Sequence, residues 1–443
     1  MRGARTPARS HSTSKTMPFH SAANLAQRLV RSVVIPATLL VASLASCTQG
    51  STSGAPSSVG TTSSRPEQPS TSSSDQPASV QSCDWQIVPT PNRSPSALAN
   101  QLTAISASGP RDAWAVGSAQ QRDVEGGVSS PLLVHWDGNR WRLVDSAPTA
   151  PNAMLLSVVS ISPQDAWAVG FAGSRSGGHH PLVEHWNGSS WSAVSVPAPP
   201  GVASALSGVF AISADDIWSV GNTGMGAKGR TLTEHWDGSR WVLTPSPNAS
   251  PPGFRSAPDN ALVAVGASSH NDVVAVGTTR DGGHVYHADP LIENWNGTSW
   301  AIVPTSLPSS GAKTFLESVA IASTSDAWAV GALSPASGTG EGPFIEHWDG
   351  SSWASVGARA LPERGTLFGV AASGQEAWAV GVEGRPLRPL VAHEVNGTWA
   401  SEAPVSLANS LLLGVTVAPD ETVWAVGSSG SDQRTLAIRC SPR

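Results

Sequence analysis

The feature that leaves the fewest folds open is a repeat. "DAWAVG" stands at Asp112, Asp165 and Asp326, with "DIWSVG" at Asp216, "DVVAVG" at Asp272, "EAWAVG" at Glu376 and "TVWAVG" at Thr422. The period is about 50 residues, and a second motif follows the first six: "HWDGNRW", "HWNGSSW", "HWDGSRW", "NWNGTSW", "HWDGSSW" and a shortened "EVNGTW" ending at Trp399. Four short strands can be marked in each period; in the second they are residues 155–162, 165–170, 181–186 and 189–197. Four strands in a unit of this length make a propeller blade. The expected fold is therefore all-β: a seven-bladed β-propeller with four antiparallel strands per blade.

The seventh blade lacks its last strand, because the chain runs "TLAIRCSPR" and stops at Arg443. The missing piece stands at the other end, where "CDWQIVPTP" from Cys83 matches the repeat tail "SSWSAVSVP". The N-terminal strand thus completes the last blade and closes the ring. Seven blades with three tryptophan positions each are filled by all 18 tryptophans, with Val274, Val395 and Cys440 in the remaining places. Cys440 ends the third strand of the last blade and Cys83 begins its fourth, so a disulfide between them would lock the closure in an exported protein.

Asn-Gly or Asp-Gly between the third and fourth strands favours a two-residue hairpin turn. In that register Trp186 faces Ser189, Glu184 faces Trp191, and the two tryptophans are diagonal neighbours. In "DAWAVG", Trp167 and Val169 point one way and Ala166 and Ala168 the other, so that the large face of one blade settles on the small face of the next. His135, His185, His235 and His347 recur before a tryptophan, and an acid recurs two places before the first tryptophan of most repeats. Groups repeated around a ring cannot converge on one site, so they are expected to be structural hydrogen-bonding pairs. The Asn-X-Ser/Thr patterns at Asn187, Asn296 and Asn396 read as turns in the same way.

The repeats resemble those of kelch-type and galactose-oxidase-like bacterial β-propellers over Cys83 to Arg443, without the consistent Gly-Gly pair or the tyrosine before the last tryptophan. The "WDGSSW" turn is similar to the Asp-box turns of sialidase-like propellers, one residue shorter. These resemblances imply a fold and no active site. The copper centre of galactose oxidase needs tyrosines and a cysteine–tyrosine link, and Tyr286 is the one tyrosine here. No cofactor is expected.

The first 46 residues hold six basic residues and no acid, and end in an apolar run, "SVVIPATLLVASLAS". The run is too short to span a bilayer and matches the core of a signal peptide. Leu44-Ala45-Ser46-Cys47 resembles the lipobox of bacterial lipoproteins, which implies lipidation of Cys47, a membrane anchor and a place on the outer face of the cytoplasmic membrane. Residues 47–82 are rich in Ser, Thr and Pro with hardly an apolar side chain, and read as a disordered tether to a propeller over residues 83–443. Beyond residue 46 the chain carries 20 basic against 32 acidic residues. That balance, with no basic run, argues against nucleic acid as a partner. A monomer is expected.

The turns joining strands one to two and three to four are short and alike, whereas the connections on the opposite face vary in length and charge. Function on a rigid scaffold is expected among such variable loops. The loop of blade four is the richest, with Arg280, Asp281, His284, Tyr286, His287 and Asp289. It belongs to the blade that lost a tryptophan (Val274) and a histidine (Asn294). Two histidines without a fixed third ligand do not define a metal site. The expected function is a non-catalytic binding or scaffold module for a protein or an envelope glycan. The alternative is a carbohydrate-active enzyme with Asp281 and Asp289 as an acid/base pair.

Overall fold

The computed structural model describes residues 83–441, apart from 94–96, 122–127, 174–177, 225–228, 282–286, 306–311, 337–339, 358–359 and the single positions 151, 253, 255, 375 and 403. Cys47, His284 and Tyr286 therefore lie outside the described residues. Seven four-stranded antiparallel sheets form a propeller, and six are built in chain order. The blades comprise residues 99–144, 154–193, 204–243, 258–302, 313–355 and 365–402, and the seventh joins residues 411–440 to Gln86–Ile87. Gln86 pairs with Arg439 and Ile87 with Ile438, and a Cys83–Cys440 disulfide with Cα atoms 5.9 Å apart ties the seam. The N-terminal strand closes the ring as expected.

Packing between blades is tryptophan on small residue. Trp114 of blade one lies on Ala166 and Ala168 of blade two, and Trp424 of blade seven lies on Ala113 and Ala115 of blade one. Trp114 stacks against His135 of its own blade at 4.4 Å and meets Trp186 at 4.9 Å and Trp191 edge-on at 5.0 Å in the next. Aromatic pairs in such tilted and edge-on arrangements add about 0.5–1.5 kcal/mol each beyond the area they bury.

The histidines are structural. Nε2 of His135, His185, His235 and His347 lies 2.7–2.9 Å from Asp112, Asp165, Asp216 and Asp326, the acids that open the second strands. One bond thus holds each imidazole flat against the tryptophan of its own blade.

The third-to-fourth strand turn departs from the expected register. Trp186 is paired with Trp191 and Glu184 with Ala193, so the connection spans four residues, Asn187 to Ser190. Asn187 Oδ1 accepts the backbone N–H groups of Ser189 and Ser190 at 3.0 and 3.1 Å, and Gly188 alone takes a positive φ of 91°. This side-chain turn needs one glycine where a two-residue turn needs two positive φ angles, and it sets the tryptophans directly opposite each other. Blade six has the expected two-residue turn, with Asn396 at φ 54° and Gly397 at 81°. Its shorter turn places Glu394, not Val395, opposite Trp399 in the tryptophan position.

Every first strand has a bulge, and the extra residue faces the axis. The seven are Thr103, Leu156, Ser207, Val263, Glu317, Phe368 and Leu413. The glycine ending each "DAWAVG" follows from this bulge. A Cβ at Gly170 would stand 2.0 Å from the Met154 carbonyl oxygen, and its six counterparts would be as close.

Candidate functional site

The bulges enclose an axial cavity of about 190 Å³ lined by the first strands of all seven blades. Among the described residues that line it, Glu317 of blade five is the one that is ionisable. Burial pushes its carboxyl up to about 8, against the opposing pull of Arg280, and Glu341 adds to the rise. Glu317 thus holds its proton at neutral pH in a wall otherwise apolar or hydroxylic.

Arg280 joins this channel to the variable face. It lies near the end of the second strand of blade four, and its guanidinium sits 5.7 Å from the Phe315 ring of blade five. It also draws on Asp259, whose carboxyl burial raises above its ordinary range. Burial raises Glu341 likewise, while Ser334 and Lys313 oppose the rise. Asp259, Arg280, Lys313, Glu317 and Glu341 thus form one cluster of ionisable side chains where blades four and five meet. Raised carboxyls beside cations in a concave place favour binding of a polar ligand or proton transfer to one.

The structure divides the other expected residues. Asp281 is buried and accepts the Ser256 N–H at 2.8 Å and its hydroxyl at 2.5 Å, which ties down the loop entering the blade. His287 is exposed and lies 6.1 Å from Phe254. Asp289 is half-buried, and burial raises its carboxyl while His287 opposes. Among the described residues, no group of three His, Cys, Asp or Glu side chains is placed to hold a metal ion.

Glu317, Asp259, Lys313 and Glu341 were not among the expected residues. A signal for Glu317 exists: it is the one acid in a column otherwise Thr, Leu, Ser, Val, Phe and Leu. Finding that column requires the bulge, which the sequence does not mark.

No protein-family model matches the chain, and no curated protein matches it in sequence. Solved structures resemble it in fold. An ulvan lyase described as a new family of polysaccharide lyase superposes with a TM-score of 0.53 at 9% identity, covering 78% of this chain and 95% of that one. A structure described as YCF48 bound to D1 peptide gives 0.50 at 14%, covering 82% and 98%. The WD40 repeats of RRP9 give 0.50 at 12%, covering 82% and 99%. At these identities the likeness extends to the propeller fold alone, which hosts binders and lyases alike.

Proposed function

We propose that the chain is a membrane-tethered, extracytoplasmic binding module, anchored through a lipidated Cys47, whose variable face takes a protein or an envelope glycan. The observation that carries this reading is the cluster of ionisable side chains, Asp259, Arg280, Lys313, Glu317 and Glu341, set in one sector of an otherwise repetitive ring. Cations beside carboxyls suit a partner presenting both hydroxyls and anionic groups, as acidic glycans do. The test is capture from envelope extract by a soluble form starting at Cys83, beside the same form carrying Arg280→Ala and Lys313→Ala. One partner held by the first and lost by the second is the expected result; equal capture by both would overturn the site.

Glu317 favours a second reading. A carboxyl protonated at neutral pH beside an arginine is a competent proton donor, so a polysaccharide-cleaving activity would centre there and not on Asp281, which is occupied with Ser256. Turnover of acidic polysaccharide, abolished by Glu317→Gln with the fold retained, would establish it.

A further inference from the structure

The seven blade-to-blade interfaces are not alike, and the exception has the form of a binding site. In six of them a second-strand tryptophan fills a slot walled by the next blade; at the boundary of blades four and five that position is Val274. The neighbouring interface shows what the slot accommodates. Trp218 lies 4.4 Å from His235 of its own blade, 5.0 Å from Trp295 and edge-on to Trp300 at 5.2 Å. Blade four has given up both inner rings, since Val274 replaces the indole and Asn294 the imidazole. The polar pin survives: Asn294 Nδ2 donates to Asp272 Oδ1 at 2.9 Å, where the histidines make their bond.

The walls have not closed on the gap. A cavity of about 190 Å³ remains, walled by Val274, Val303, Ile321, Ala327, Trp348 and Trp353, with the bonded pair Asp272 and Asn294 also in its lining and exposed Ser323 and Thr324 on its solvent side. Trp348 and Trp353 stand 5.9 Å apart at 42°, as Trp186 and Trp191 do at 6.0 Å and 44° around a filled slot. Trp348 cannot swing inward without losing the bond from its Nε1 to the Thr324 carbonyl, 3.0 Å long. Cavities with apolar walls and a volume of about 150 Å³ are large enough to bind benzene. Where the slot is filled, the indole N–H groups of Trp114, Trp167 and Trp218 have no hydrogen-bond partner, so it selects ring faces and edges and asks for no polar tip.

We propose that this cavity binds a planar aromatic ring, one or two fused rings carried by a small molecule, in the place of the absent tryptophan. The site lies near the short-turn face, about 20 Å along the strand from Arg280, and stands independently of the function proposed above. The probe is indole, titrated calorimetrically into the purified full chain beside cyclohexanol as a non-aromatic ring. Expected is saturable one-to-one binding of indole, with cyclohexanol bound at least tenfold more weakly. Val274→Trp should weaken indole tenfold or more by occupying the slot. Asn294→His, which restores the imidazole with little demand on the fold, should weaken it several-fold and decides the matter if Val274→Trp does not fold. Absence of saturable indole binding, unchanged binding in the folded variants, or equal binding of cyclohexanol would overturn the proposal.

Discussion

The interface between blades three and four and the one between four and five share a backbone and differ in what fills it. In the first, Trp218 is locked by a stacked imidazole, two indoles of the next blade and an aspartate bond held by His235. In the second, the aspartate bond and the two outer indoles persist around an empty centre. The blade thus keeps its shape through sheet pairing and the Asp-centred bond, while the central indole adds packing energy. A ring of repeats can therefore give up one central side chain and retain the walls of a site.

The largest expected effect breaks the complete interface. Trp218→Ala removes a fully buried indole with three aromatic neighbours, and should cost about 3–5 kcal/mol, the range for emptying an aromatic core position. Val274→Ala next door removes two methyl groups beside an existing cavity and should cost about 1 kcal/mol or less. Denaturant midpoints at unchanged slope measure both. Equal losses would mean that the indole at the first interface does no more than the valine at the second.

The seam between blades six and seven makes the next comparison, because there Cys440 holds the third-strand tryptophan position and a strand from the far end of the sequence supplies Trp85. A covalent bond stands where another blade has an indole. Replacing both cysteines by serine should lower stability by about 2–4 kcal/mol, in the ordinary range for a native disulfide. Trp85 would be released with the strand, so its contact with Trp378, 5.7 Å between ring centres, should be lost from the near-ultraviolet spectrum before the other blades unfold.

The fold was legible because the blades repeat their chemistry: tryptophans recur in every blade, the Gly of "DAWAVG" in all seven and the Asp–His pair in four, so that one structure is read several times over. What escaped was whatever depends on register. The four-residue turn looks like a two-residue one because Asn-Gly serves both, and only the Asn187 side chain, folding back on Ser189 and Ser190, separates them. The blade-four loop drew attention through its residue types, and Arg280 does reach the channel group. Glu317 and Asp259 escaped because a residue inside a strand shows its direction only once the bulge is known. Val274 and Asn294 were visible as losses, but the cavity they leave is a property of the neighbouring blade.

The last comparison concerns the glutamates that precede His185, His235, Asn294 and His347, buried at four interfaces and replaced by Val134, Ala392 and Ile438 at the others. Burial pushes Glu184 and Glu346 up to about 7 and Glu234 and Glu293 up to about 8, with opposing bonds from the Ala147 N–H to Glu184 and from Ser246 to Glu293. Such a group stabilises nothing by ionising: its favourable contribution is complete below the unfolded carboxyl pKa near 4.5 and is lost as pH rises through the folded value. The chain should therefore be more stable at pH 5 than at pH 9. Glu234→Gln keeps the shape and removes the proton, so it should match the native chain at pH 5 and exceed it by about 2 kcal/mol at pH 9, the full linkage being reduced as the groove relaxes around a charge. Melting across that range measures the difference. A parallel offset at every pH would show that Glu234 acts through its shape, and that the interfaces with glutamate differ from those without only in packing.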